Sequence, residues 1–145
     1  MRPNAYRQNN LESEVGTASP LKLVQLLYAG ALEAVRSSRR SVRAGDIAAR
    51  SRSISQANAI LNELALSLDH AQSPELSLNL AELYDYVLRL LIEANASQAE
   101  PPLAEAESLL ITLAGAWDDC ARGLESTSLL EPDEENMFVS VSLAG

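Results

Sequence analysis

The chain has 145 residues, 47% of them hydrophobic and only 4% aromatic, and a formal net charge of −9. That length buries one core of ordinary size, and a leucine- and alanine-rich composition suits helices better than sheets built on β-branched and aromatic pairs. A single all-α domain is expected. The acidity is uneven: residues 1–52 carry nine Arg/Lys against four acids, and residues 53–145 carry only Arg89 and Arg122 against sixteen acids. Most of this surface would repel a phosphate backbone, so no nucleic-acid partner is expected. Six arginines (Arg36, Arg39, Arg40, Arg43, Arg50 and Arg52) gather around one predicted turn. They read either as a basic helix end facing an acidic neighbour or as a patch for an acidic protein. Cys120 is the only cysteine, so no internal disulfide forms. With no apolar run of signal-peptide or membrane-spanning length, the expected location is the cytosol, without membrane insertion.

In chain order, residues 1–18 are polar and punctuated by Pro3 and Gly16, and they form an arm carrying Tyr6. Ser19-Pro20 is a helix start, a serine able to accept from free amides followed by proline at the first helical position. That helix should run to about Arg43 and break at Gly45. Asp46 is placed to cap a second helix reaching about His70. Ser73-Pro74 repeats the start for a third helix ending near Asn95 to Ser97. Pro101-Pro102 opens the fourth, which should run to about Arg122 with Gly123 behind it. Short links between helices of about 20 to 25 residues, each about 30 to 37 Å long, predict an antiparallel up-and-down four-helix bundle.

Four apolar stripes at helical spacing mark the expected core. They are Leu21, Val24, Tyr28, Ala31 and Val35; Ile54, Ala57, Leu61, Leu64 and Leu68; Leu76, Leu80, Leu83, Val87, Leu90 and Ala94; and Leu103, Ala106, Leu110, Leu113 and Trp117. Tyr84 is assigned to the core as well. Leu23 and Leu26, Leu66, Leu78, Leu88 and Ile92, and Ile111 lie off those stripes. They are either scattered or covered by the arm and tail, or they adjoin one another as an apolar groove of the kind that takes a helix.

The inventory for catalysis is thin, and neither metal nor cofactor is expected. A bundle di-iron site needs a Glu-x-x-His on two helices, whereas His70 is the sole histidine. A zinc site would have one Cys and one His at most. The nearby acids Asp118-Asp119 and Glu105-x-Glu107 point to different sides of a helix and read as solvated charge. A histidine phosphotransfer domain using His70 would also be a four-helix bundle. Against it, His70 is predicted at a helix end, where it would meet the helix dipole, and no Lys follows to neutralise a phosphoryl group.

The run Thr17-Ala18-Ser19-Pro20-Leu21 through Leu27-Tyr28-Ala29-Gly30-Ala31 resembles the start of the flagellar export chaperone family FliS. So do Tyr6, Gly45-Asp46, Ile60-Leu61-Asn62-Glu63-Leu64, Ser67-Leu68-Asp69, Leu83-Tyr84-Asp85-Tyr86, Glu93-Ala94-Asn95, Leu109-Leu110 and Ala116-Trp117, in the family's order. The likeness spans Tyr6 to Trp117. Departures include Ala29 in place of the family's aspartate and Gln56 in place of the usual lysine. The resemblance implies a cytosolic chaperone, not an enzyme, that binds the disordered C-terminal segment of flagellin, prevents premature polymerisation and assists delivery to the flagellar type III export gate. It also implies that Tyr6 covers part of the groove when the groove is empty. Another type III secretion cargo or regulator is the alternative partner, and a monomer or weak homo-oligomer is the expected state. Three parts follow: an arm at 1–18, a bundle at 19–125 and a tail at 126–145. The tail's acidic stretch Glu131 to Glu135 leads to the alternating apolar segment Met137 to Leu143, which is either flexible or groove-binding.

Overall fold

The computed structural model describes residues 19–128 as four helices: α1 (Pro20–Ala44), α2 (Ile47–Leu66), α3 (Pro74–Ser97) and α4 (Pro101–Ser128). Tyr6 and the tail segment Met137 to Leu143 lie outside the described residues. Local chemistry sets the helix ends. Ser19 accepts the Lys22 amide at 3.1 Å with Pro20 behind it, which satisfies one of the amides a helix start leaves free. α1 stops at Gly45, whose φ of 69° is left-handed backbone that a side chain would strain. Asp46 then accepts the Ala49 amide at 3.0 Å and starts α2.

Each helix packs against its neighbours in the chain, and α4 closes against α1. With links of only a few residues, this ring of contacts is the antiparallel up-and-down bundle the sequence predicts. At its centre the buried Tyr28 and Tyr84 hydroxyls share a hydrogen bond of 2.6 Å. The Tyr28 ring stands 6.4 Å from that of Trp117. Each phenol meets the other's need for a partner, and burial pushes both their pKa values up from the ordinary phenol range. α1 and α2 approach closely at Gly30, where an added Cβ would stand 3.2 Å from Ile60 Cδ1.

Four expectations need correction. α2 ends at Leu66, before His70, because the Ser67 hydroxyl bonds the Leu64 carbonyl at 2.7 Å and Asp69 takes the Ala71 amide at 3.0 Å, which makes a turn. α4 passes through Gly123 to Ser128; a helical glycine costs only about 1 kcal/mol relative to alanine. Ser73 precedes α3 without a capping bond from its side chain. The buried face of α3 is Ser77, Leu80, Tyr84, Val87, Leu91 and Ala94, with Leu90 beside it. This face is turned from the expected stripe, so Leu76 is 45% exposed and Leu83 is half-buried at the rim. Leu68 and Leu113 are likewise half-buried.

Candidate functional site

The basic helix end faces α4. Arg39 donates from Nε and Nη2 to Glu100 Oε1 at 3.0 and 2.9 Å and from Nη1 to Glu107 at 3.2 Å. Arg43 also bonds Glu100, and Arg36 lies 3.5 Å from Glu107. Further along the same seam Gln25 donates to Asp118 at 3.0 Å. The hydrogen bonds from Arg43 and Arg39 hold the Glu100 carboxyl below the usual carboxylate range. Arg40 pairs with Glu33 on its own helix, and Arg50 is buried, donating to Asn95 of α3 at 3.1 Å. The cluster therefore acts mainly as the polar closure of the α1–α4 seam, which is the reading of a basic helix end against an acidic neighbour.

The off-stripe residues are distributed by the bundle's register. In α2 the side facing α1 is marked by Ser53, whose hydroxyl meets that of Ser37 at 3.1 Å. In α3 the side facing α4 is marked by Tyr86, which bonds Glu105. Turning about 100° per residue from those marks puts Leu66 on α2 and Leu78, Leu88 and Ile92 on α3 toward the flank that α2 and α3 share. Ile47, at the first position of α2, leans the same way. Leu66, Leu78 and Ile92 are 78%, 56% and 63% exposed, whereas Leu88 is half-buried against the core. Leu66 and Leu78 stand together where α2 leaves and α3 begins. Ile92 and Ile47 stand at the opposite end, and the exposed Asp85–Arg89 ion pair rides between them.

The other three residues fall elsewhere. Ile111, one turn from Glu107, lies on the α1 side of α4 and is 47% exposed. Leu26 points away from the α1 stripe, and Leu23 lies on α1's side toward α2; both are half-buried. So the structure gathers Leu66, Leu78, Leu88 and Ile92 on one flank and separates Leu23, Leu26 and Ile111 from it. Sequence reasoning passed over Ile47, since a residue so close to a cap gives no periodic signal. It also passed over Asn58, on the α3 side of α2, whose buried Oδ1 has no hydrogen-bond partner among the described residues.

His70 is not a helix-end residue. It sits in the α2–α3 turn, with Nδ1 2.6 Å from the hydroxyl of the buried Ser77. Ser77 in turn reaches the Pro74 carbonyl at 3.2 Å. The histidine thus ties the turn to the first coil of α3. Among the described residues no cluster of three or more His, Cys, Asp and Glu could hold a metal ion, and no helix is long and apolar enough to cross a membrane. Cys120 is half-buried, and burial, with Asp119 beside it, raises its thiol pKa, which disfavours the reactive thiolate.

Comparison with known proteins identifies the relatives of the chain. The family described as flagellar protein FliS matches residues 2–123. The chain is 40% identical over 114 residues to the flagellar secretion chaperone FliS of Salmonella typhimurium, covering 78% of this chain and 84% of that protein. It is 35% identical over 128 residues to the flagellar secretion chaperone FliS of Escherichia coli, covering 88% and 92%. It is 34% identical over 113 residues to the flagellar secretion chaperone FliSB of Pseudomonas aeruginosa, covering 78% and 90%.

Proposed function

The chain belongs to the FliS family of flagellar secretion chaperones, a family of chaperones rather than enzymes, and from that premise we propose that its α2–α3 flank holds the C-terminal segment of flagellin. In this reading the chaperone works in the cytosol as a monomer or weak oligomer. It keeps the bound segment from polymerising and hands it to the flagellar type III export gate. The observation that carries the reading is the collection of Leu66, Leu78, Leu88, Ile92 and Ile47 on a flank of a bundle whose core is already filled.

A segment that folds on binding must recover the free energy lost in its own ordering. Apolar burial contributes about 25 cal/mol per Å², so only an extended surface suffices. The flank is extended: Leu78 and Ile92 are separated by fourteen residues of helix, about 21 Å at 1.5 Å per residue. An amphipathic segment laid along it would cover the leucine pair at one end and the isoleucine pair at the other, with its polar side outward. Tyr6 would cover part of this flank in the empty chaperone. Leu23, Leu26 and Ile111 take no part in the surface proposed.

Calorimetric titration of the full chain with a synthetic peptide of the flagellin C-terminal segment tests the reading. Saturable binding with a negative heat-capacity change is expected, the mark of apolar burial. The absence of binding, or equal binding of a scrambled peptide, would sink it.

A further inference from the structure

We infer that the chain's own C-terminal segment, Met137 to Leu143, docks on the α2–α3 flank and competes there with cargo; this rests on the reading of that flank as the cargo surface. Gln25 meets Asp118 and Arg39 meets Glu107, so α4 runs down α1 toward the end of the bundle where α1 begins. By antiparallel order this is also the end where α2 stops at Leu66 and α3 starts at Pro74. The tail therefore departs at the end that carries the exposed Leu66 and Leu78.

Lengths agree with this placement. Residues 129–136 number eight, about 26 Å at full extension, while the diagonal of a bundle with neighbouring axes about 10 Å apart is about 14 Å. That connection is long enough to pass the bundle's end and reach the leucine pair. The following segment Met137-Phe138-Val139-Ser140-Val141-Ser142-Leu143 spans about 23 Å as an extended chain. The flank from Leu78 to Ile92 is about 21 Å long. In an extended chain Met137, Val139, Val141 and Leu143 share one side, an apolar edge about as long as the flank. The flank's apolar ends would take the two ends of that edge, on either side of the Asp85–Arg89 ion pair.

The chemistry of the two parts of the tail fits the same division. Glu131, Asp133, Glu134 and Glu135 keep the connection solvated, while the terminal segment has apolar side chains to bury. Ser140 and Ser142 lie on the outer side together with Phe138, which follows the connection directly. An occupant tethered by a short connection meets its site at high effective concentration, so even weak contacts would reduce the fraction of chaperone with a free flank. Cargo must then displace the tail, and apparent cargo affinity falls in proportion to the fraction of chaperone whose flank is free.

The test compares the full chain with the full-length variant Val139→Ser/Val141→Ser/Leu143→Ser, using Leu and Ile methyl NMR spectra. The Leu66, Leu78 and Ile92 methyl signals should differ between the two, and adding a synthetic peptide of residues 129–145 to the variant should move them back toward their wild-type positions. The flagellin peptide should bind the variant several-fold more tightly than the wild type. Coincident spectra at those methyls, unchanged by the peptide, would overturn the inference. So would differences that grow with protein concentration, which would mean that the tail docks on a second copy. Flagellin binding to the variant at the flank without any tail effect would refute the tail alone, whereas tail docking without flagellin binding there would refute the functional reading instead.

Discussion

The α1–α4 seam and the α2–α3 flank belong to the same bundle and present opposite surfaces. Along α1–α4, Arg36, Arg39 and Arg43 close over Glu100 and Glu107, and Gln25 over Asp118. Along α2–α3 a part-buried Arg50–Asn95 bond fixes the end where α2 begins, and beyond it stand the exposed Leu66, Leu78 and Ile92 and an amide oxygen of Asn58 that has no donor among the described residues. α3 also packs less extensively on α2 and on α4 than α1 does on its two neighbours. The lesson is that a bundle can complete its polar surface on one side and leave the other incomplete, and the incomplete side is where a partner's side chains can contribute.

Substitutions on the two sides should have separable effects. The largest is expected from Leu78→Asp/Ile92→Asp, which places two charges on the flank proposed to hold cargo. Flagellin-peptide affinity should drop by more than about tenfold, the equivalent of about 1.4 kcal/mol, with an unchanged melting temperature because both side chains are exposed. A large fall in melting temperature would mean that the flank is part of the folded core. Next is Glu107→Ala, which takes one partner from both Arg36 and Arg39. Stability to urea should fall by about 1 kcal/mol, and peptide affinity should stay where it was.

Smaller still is Asn58→Leu. Replacing a buried acceptor that has no partner by a hydrocarbon removes its desolvation penalty. Stability should rise by about 0.5 kcal/mol, read as a shift of the urea midpoint without a change of slope; a lower midpoint would show that Asn58 has a partner in solution. The mildest effect is on pH dependence. Glu100 has a depressed pKa in the folded chain, so its contribution is present above the unfolded carboxylate pKa and is lost as pH falls through the folded value. Between wild type and Glu100→Gln, the difference in thermal stability should be constant near neutrality and shrink in acid below the ordinary carboxylate range. A difference that persists in strong acid would exclude the ion pairs as its source.

Much of the fold was legible in the sequence because its signals are local. Ser19-Pro20, Gly45 and Asp46 each act on amides or backbone within a few residues, and the stripe of α1 emerges unchanged in the core. Where competing local chemistry existed, periodicity failed. Leu83 and Tyr84 satisfy the same spacing, and the hydroxyl pair with Tyr28 decides for Tyr84. The Ser67 hydroxyl, donating to the Leu64 carbonyl, and the Asp69 carboxylate, accepting from the Ala71 amide, end α2 inside an apolar pattern that would have carried it further. The site was legible only in part. That Leu66, Leu78, Leu88 and Ile92 lie off the stripes follows from the wheel of each helix, but their meeting on one flank depends on how the helices are turned toward one another. The same limit hid the partners of Arg39, which are 61 and 68 residues away.

The five isoleucines happen to sample every region at issue. Ile54 is in the core, Ile60 lies between α1 and α2, Ile111 is on the α1 side of α4, and Ile47 and Ile92 are on the α2–α3 flank. Methyl NMR of the isoleucine-labelled chain, titrated with the flagellin C-terminal peptide, therefore distinguishes the α2–α3 flank from every other region. Saturating shifts are expected at Ile47 and Ile92 while Ile111 and Ile60 stay in place. Shifts at Ile111 with Ile47 and Ile92 unmoved would contradict the placement of cargo on that flank.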